Sequence, residues 1–127
     1  MNKAYIVTGA VFICLGILLG AFGAHSLKAI LTPHELLSFE VGVRYQMYQG
    51  LALLALGLNQ QTILKNKWPY GGFTLGIILF SGSIYALSID RVFSLNLSFL
   101  GPITPIGGAI LIATWIYFIV RVLKPVN

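Results

Sequence analysis

Glu40 and Arg44 stand four residues apart, acid first, in a chain with few other charges. On a helix that spacing stacks the two side chains on one face, in the order that favours an ion pair. Tyr45, Gln46, Tyr48 and Gln49 follow within the next turns. Gly42, Gln46, Gln49, Gly50, Leu53 and Gly57 recur at spacings of three, four and seven, a small-and-polar stripe suited to facing other helices. If this segment lies in a membrane, an ionisable group within it marks either a functional path or a buried pair. Two readings stand. Arg44 pairs with Glu40 or Asp90 for structural reasons, or Arg44, Gln46, Tyr48 and Gln49 line a polar path.

Metal chemistry would need donors that converge. His25, His34, Glu35 and Glu40 are candidates, but their spacings match no established site and there is no His-Glu-x-x-His arrangement. No metal and no cofactor is expected. Phosphate loops, dinucleotide fingerprints and nucleophile elbows are missing from the sequence. Ser81, Ser83 and Ser88 lack a base beside them and read as hydrogen-bonders between helices. No catalytic residue is assigned, and an enzyme is not expected.

Composition says where these residues must sit. The chain has 127 residues, 57% apolar and 9% charged, against roughly a quarter charged in a soluble domain. So few charges cannot clothe a soluble globule. The counts exclude a soluble domain, a disordered chain and a disulfide-stapled module. Cys14, the single cysteine, cannot form an internal disulfide, and Val11-Phe12-Ile13 before it lack the small residues of a lipoprotein cleavage site. The net charge of +5 comes from residues at the ends of apolar runs, with no basic stripe, so topology explains it and nucleic acid does not.

Four apolar spans are predicted, at about residues 4–24, 41–59, 70–89 and 105–123. Crossing a hydrocarbon core of about 30 Å takes roughly 20 helical residues, and backbone groups in lipid must be satisfied within the segment. The architecture is therefore an all-α membrane protein: one domain of four transmembrane helices in a compact bundle. A cleavable signal peptide is the weaker reading of the first span, whose apolar run exceeds the usual 7–15 residues or so. Thr32-Pro33-His34-Glu35 fits a capping box, so the second helix starts outside the bilayer, near Pro33. Thr104-Pro105 and Pro69 predict similar starts for the fourth and third helices. Tyr5, Trp68, Tyr70, Trp115 and Tyr117 fall near span ends, where an interfacial belt belongs.

Lys3, Lys65, Lys67, Arg121 and Lys124 lie on the side of the termini, and Lys28, Arg44 and Arg91 on the other with all three acids, Glu35, Glu40 and Asp90. The basic bias favours both termini in the cytoplasm. Gly16, Gly20 and Ala24 on helix one and Gly72 and Gly76 on helix three recur every four residues, spacing that lets helix backbones approach. Internal packing or self-association would use them. Leu15-Gly16-Ile17-Leu18-Leu19 echoes Leu75-Gly76-Ile77-Ile78-Leu79, a weak hint of duplicated hairpins. The apolar loop from Asp90 to Thr104 lies on the membrane surface or folds onto the helices.

Three motifs carry a resemblance: Gly20-Ala21-Phe22-Gly23-Ala24-His25 with Leu27; Val43-Arg44-Tyr45-Gln46-Met47-Tyr48; and Gly101-x-Ile103-Thr104-Pro105-Ile106-Gly107-Gly108. In this order they resemble the small inner-membrane family catalogued as domain of unknown function 423, related to eukaryotic transmembrane protein 256. The resemblance spans nearly the whole chain and implies a multi-pass, four-helix membrane protein. It brings no established activity and no catalytic residues, and adds weight to His25, Arg44, Tyr45 and Gln46. Where family members often carry His, this chain has Gln49. The expected role is a structural or accessory membrane component acting through helix contacts, with the bilayer and a second copy or membrane protein as partners. The alternative is a small-solute or ion transporter or channel with a polar path along helix two.

Overall fold

The computed structural model describes residues 1–59 and 66–125. Four long helices account for most of them: α1 (Lys3–His25), α2 (Pro33–Leu58), α3 (Lys67–Ile89) and α4 (Ile103–Leu123), with short 3-10 turns at Leu27–Ala29 and Ser98–Leu100. No strand occurs among the described residues. Each predicted span falls within one helix, except that α2 stops at Leu58 with Asn59 as its cap. Lys65 lies outside the described residues.

Local chemistry sets the boundaries. The Asn2 side chain accepts the Tyr5 N–H and starts α1. Thr32 and Glu35 form the capping box, with Pro33 in the first turn; two orphan amides are thereby satisfied. The other two proline starts need correction. α3 begins at Lys67, capped by Asn66, which accepts the Trp68 N–H at 3.2 Å, so Pro69 lies within the first turn. α4 begins at Ile103, ahead of Pro105. Thr104 is no cap because its hydroxyl is shared with Ser83 of α3 at 2.5 Å. Both prolines are tolerated where a missing N–H has no intrahelical partner to lose.

Consecutive helices run antiparallel and pack pairwise, α1 on α2, α2 on α3 and α3 on α4. The basal end gathers Asn2, whose N–H donates to Gly57 O at 2.9 Å, with Asn66 and Lys124; the distal end holds His25, Thr32, Asp90 and Pro102. Toward the basal end, Tyr5, Leu53, Phe73, Ile77 and Leu111 form a core drawn from all four helices. Toward the distal end, Leu27, Leu31 and Phe39 form a second. Outside these cores the helices are clad in exposed apolar side chains such as Leu18, Ile78, Ile112 and Ile116. α1, α3 and α4 are long and apolar enough to cross a membrane; α2 is not among them, because Arg44, Gln46 and Gln49 dilute it.

Glycine sets how closely the helices approach, but not in the register that the four-residue spacing predicts. On α1 the buried small residues are Gly9, Gly16 and Gly23, seven apart. A Cβ on Gly9 would sit 2.7 Å from both Gly50 O and Leu54 N, and one on Gly57 would sit 2.8 Å from Ile6 N. Gly16 faces Met47 and Gln46 and Gly23 faces the Phe39 ring, whereas Gly20 makes only ordinary contact with Val43 and Ala24 is exposed. Two helical turns separate seven residues, so this period keeps one face on the partner where a strict four-residue step drifts off it. Gly72 and Gly76 do face α4, against Thr114 and Leu111, and Gly107 of α4 answers against the backbone of Phe80. Tyr5 also departs from its interfacial assignment: it is 1% exposed and stacked on Tyr70.

Gly9→Ala is expected to destabilise the protein by about 1–3 kcal/mol, the range for overpacking. Gly82→Ala, whose Cβ meets nothing within 4 Å, is expected to be neutral or to stabilise by up to about 1 kcal/mol through helix propensity. Reversible unfolding in mixed micelles reads both; equal effects would contradict the α1–α2 seam.

Candidate functional site

The polar residues of α2 divide by face. Gln46 points inward and is 4% exposed. Its Nε2 donates to the Phe12 carbonyl of α1 at 2.8 Å, and its Oε1 accepts the Tyr85 hydroxyl of α3 at 2.6 Å. One side chain thus ties three helices. Gly42, one turn earlier, makes room for this: a Cβ there would lie 2.7 Å from the Tyr85 ring. The Gly42 carbonyl also accepts the Ser81 hydroxyl at 2.8 Å, a second tie between α2 and α3. Gln49 reaches the fourth helix, its Oε1 accepting the Trp115 indole N–H at 2.9 Å. Trp115 is half-buried and packs on the buried Phe73, so its ring turns toward the core.

On the opposite face Glu40, Arg44, Tyr45 and Tyr48 are exposed. Tyr45 stacks on both Tyr48 and Phe80. Arg44 pairs with neither Glu40 nor Asp90: among the described residues the ion pair is Glu35–Arg91, with Arg91 Nε 2.8 Å from Glu35 Oε1. Arg91 Nη2 also donates to the Ile30 carbonyl at 3.1 Å. This guanidinium binds the start of α2 and the α1–α2 connection to the loop after α3. The planar Arg91 guanidinium serves a carboxylate and a carbonyl at once. Its hydrogen bond holds the Glu35 carboxyl below its ordinary value, assisted by Thr32. Arg91 in turn is held above its own by Glu35.

His25 is exposed and Asp90 half-buried. Three cavities are of note: a groove between α3 and α4 (about 1130 Å³), an apolar recess beside Phe12 and Tyr85 (about 390 Å³), and a hollow by His34 and Ser88 (about 260 Å³). None is lined by His25, Glu40, Arg44, Tyr48 or Asp90, whereas Gln46 borders the apolar recess. Among the described residues no three His, Cys, Asp or Glu side chains come together. Ser83 binds Thr104 and the Phe80 carbonyl, and Ser88 the Ile84 carbonyl. What the structure brings together is a set of neutral ties: Gln46 with Tyr85, Gln49 with Trp115, Ser81 with Gly42, and Thr8 with Tyr70 at 2.6 Å. Tyr85 and Trp115 are the partners that sequence reasoning missed. Their signal is the polar tip of a buried aromatic, which needs a hydrogen-bond partner.

A chain whose described residues form helices without strands, clad in apolar side chains, is a membrane protein. It belongs to the family described as "Protein of unknown function (DUF423)", whose model matches residues 19–108. It is similar to a UPF0382 membrane protein of Staphylococcus aureus (strain bovine RF122 / ET3-1), 39% identical over 96% of this chain and 97% of the relative. It is similar also to the UPF0382 membrane protein YwdK of Bacillus subtilis (strain 168), 36% identical over 96% of this chain and 98% of that protein. No solved structure matches the chain.

Two measurements probe these contacts. In a double-mutant cycle, Gln46→Leu and Tyr85→Phe are expected to couple by about 0.5–1.7 kcal/mol, the range for hydrogen bonds between membrane helices; strict additivity would mean the bond is not formed. The Glu35 carboxyl is depressed in the folded state, so its contribution is complete above its unfolded value of about 4.3 and is lost as pH falls through the folded value. Amide protection factors in residues 90–102, taken relative to the intrinsic exchange rate at each pH, are expected to fall on acidification in the wild type and to show no such step in Glu35→Gln.

Proposed function

We propose that the protein is a non-enzymatic structural or accessory component of the bacterial cytoplasmic membrane, working through contacts between helices. The observation that carries this reading is the fate of the two amides best placed to line a path. Gln46 and Gln49 are engaged with Phe12, Tyr85 and Trp115, which leaves them as cross-links between helices. The same bonds support α2 as a fourth span of a compact bundle, since its partners lie on three helices that are themselves long and apolar enough to cross. Basic residues favour the basal end, and this supports termini in the cytoplasm.

The outward face of α2 is where a partner belongs. Glu40, Arg44, Tyr45 and Tyr48 are exposed there, and a charge near lipid is stable only when it is paired or reaches the interface. A second copy or another membrane protein would supply the pairing. The transport reading needs a continuous polar path along α2, and the internal engagement of both amides weighs against it.

In mild detergent the wild type is expected to run with a second copy or a reproducible membrane partner, and Arg44→Ala with Tyr48→Ala to release it. Flux of protons and small solutes in liposomes is expected to match empty vesicles. A strictly monomeric, partnerless protein would count against the accessory role, and flux that Gln46→Leu abolishes would establish transport. A reporter fused after Asn127 is expected to be active on the cytoplasmic side; activity only outside would reverse the orientation.

A further inference from the structure

The groove between α3 and α4 at the basal end takes no part in the ties described above. Its volume is about 1130 Å³. The walls are apolar, with Leu75 on α3 facing Ile110 and Ala113 on α4. At the floor Gly72 lies against Thr114, whose hydroxyl is already spent on the Ile110 carbonyl at 2.7 Å. Gly71 lines the groove, and a Cβ there would meet nothing within 4 Å.

The mouth has a different chemistry. Asn66 donates from Nδ2 to the Tyr117 hydroxyl oxygen at 3.1 Å and accepts the Trp68 backbone N–H at 3.2 Å, so its amide oxygen is occupied. The polar groups left at the mouth are donors: the Lys67 ammonium, the indole N–H of Trp68, which is 82% exposed, and the Tyr117 hydroxyl hydrogen. Lys67 pairs with no acid among the described residues. The basal helix ends carry Lys3, Lys67, Arg121 and Lys124 and, among the described residues, no Asp or Glu. A cation and neutral donors above an apolar trough complement an anionic head on a hydrocarbon tail.

We propose that this groove binds an anionic phospholipid, with an acyl chain laid along Gly71, Leu75 and Ala113 and the phosphate held by Lys67, Trp68 and Tyr117. The site is independent of the accessory role proposed for α2. A second copy is the poorer occupant. Inserted in the same orientation, it would bring its own basic basal end against Lys67 and no acid to pair with it. A soluble phosphate ester would leave the apolar trough unused.

Native mass spectrometry of the purified full chain, offered phosphatidylglycerol and phosphatidylcholine of matched acyl chains in equal amounts, tests the site. Phosphatidylglycerol is expected to be retained about fivefold better, the preference that one basic residue near an anionic headgroup confers. Lys67→Gln is expected to remove that preference while retention of phosphatidylcholine stays unchanged. Gly71→Leu fills open space and is expected to keep the wild-type melting temperature in lipid-free detergent while losing both lipids. Glycerol 3-phosphate is expected not to compete. Equal retention of the two lipids by the wild type, or an undiminished preference in Gly71→Leu, would overturn the proposal. So would displacement by glycerol 3-phosphate, which would mean a headgroup site alone, or a wild-type dimer that Gly71→Leu splits, which would assign the groove to a second copy.

Discussion

The Gln46 side chain joins α1 and α3 to α2 through two hydrogen bonds, to the Phe12 carbonyl and from the Tyr85 hydroxyl. An amide surrounded by hydrocarbon has no water to fall back on, and leaving it unmet costs several kcal/mol by roughly the scale of transfer into apolar solvent. Much of the neighbouring sequence follows from that constraint. Gly16 lets α2 approach α1 at the level of Gln46, and Gly42 opens the surface of α2 so that the Tyr85 ring can cross it. Ser81, one turn before Tyr85, repeats the tie through the Gly42 carbonyl. Small residues admit the contact and polar ones fix its register.

Charge and hydrocarbon are separated along the helices. The interior ties are neutral, whereas the Glu35–Arg91 pair closes the distal end, where it is reachable by solvent. An exposed pair of this kind contributes little to global stability. Its effect is local: it fastens the loop after α3 to the start of α2. That loop also presents Phe93, Leu95 and Phe99 outward while Val92 packs into the distal core, so it is held to the helices at its start and turns an apolar surface away from them further on.

The lengths and ends of the helices were largely legible in the sequence. Uninterrupted apolar runs show where helices must be, and the Thr32-Pro33-Glu35 capping box is a local pattern that depends on nothing distant. The proline starts failed at Thr104 because its hydroxyl bonds to Ser83, a contact between two helices that no local rule anticipates. The rotation of a helix is legible on α2, where polar residues mark a face and Gln46 and Gln49 turn inward as the stripe implies, and on α3, where Gly72 and Gly76 face α4. On α1 nearly every position is apolar or small, so periodicity carries no direction, and the seam runs through Gly9, Gly16 and Gly23 instead of Gly16, Gly20 and Ala24. The ion pair was misassigned for a related reason. Spacing along a helix favours Glu40 with Arg44, but Glu35 and Arg91 are 56 residues apart and meet only once α2 and α3 are packed.

Everything proposed for α2 rests on the Gln46 amide being an internal tie that water does not reach. Hydrogen–deuterium exchange of the Gln46 side-chain amide, followed by solid-state NMR on the wild-type chain in lipid bilayers, tests this most directly. The expected result is slow exchange of the Nε2 hydrogen donated to the Phe12 carbonyl, with no polarisation transfer from water. Rapid exchange there would place water along α2 and contradict the account.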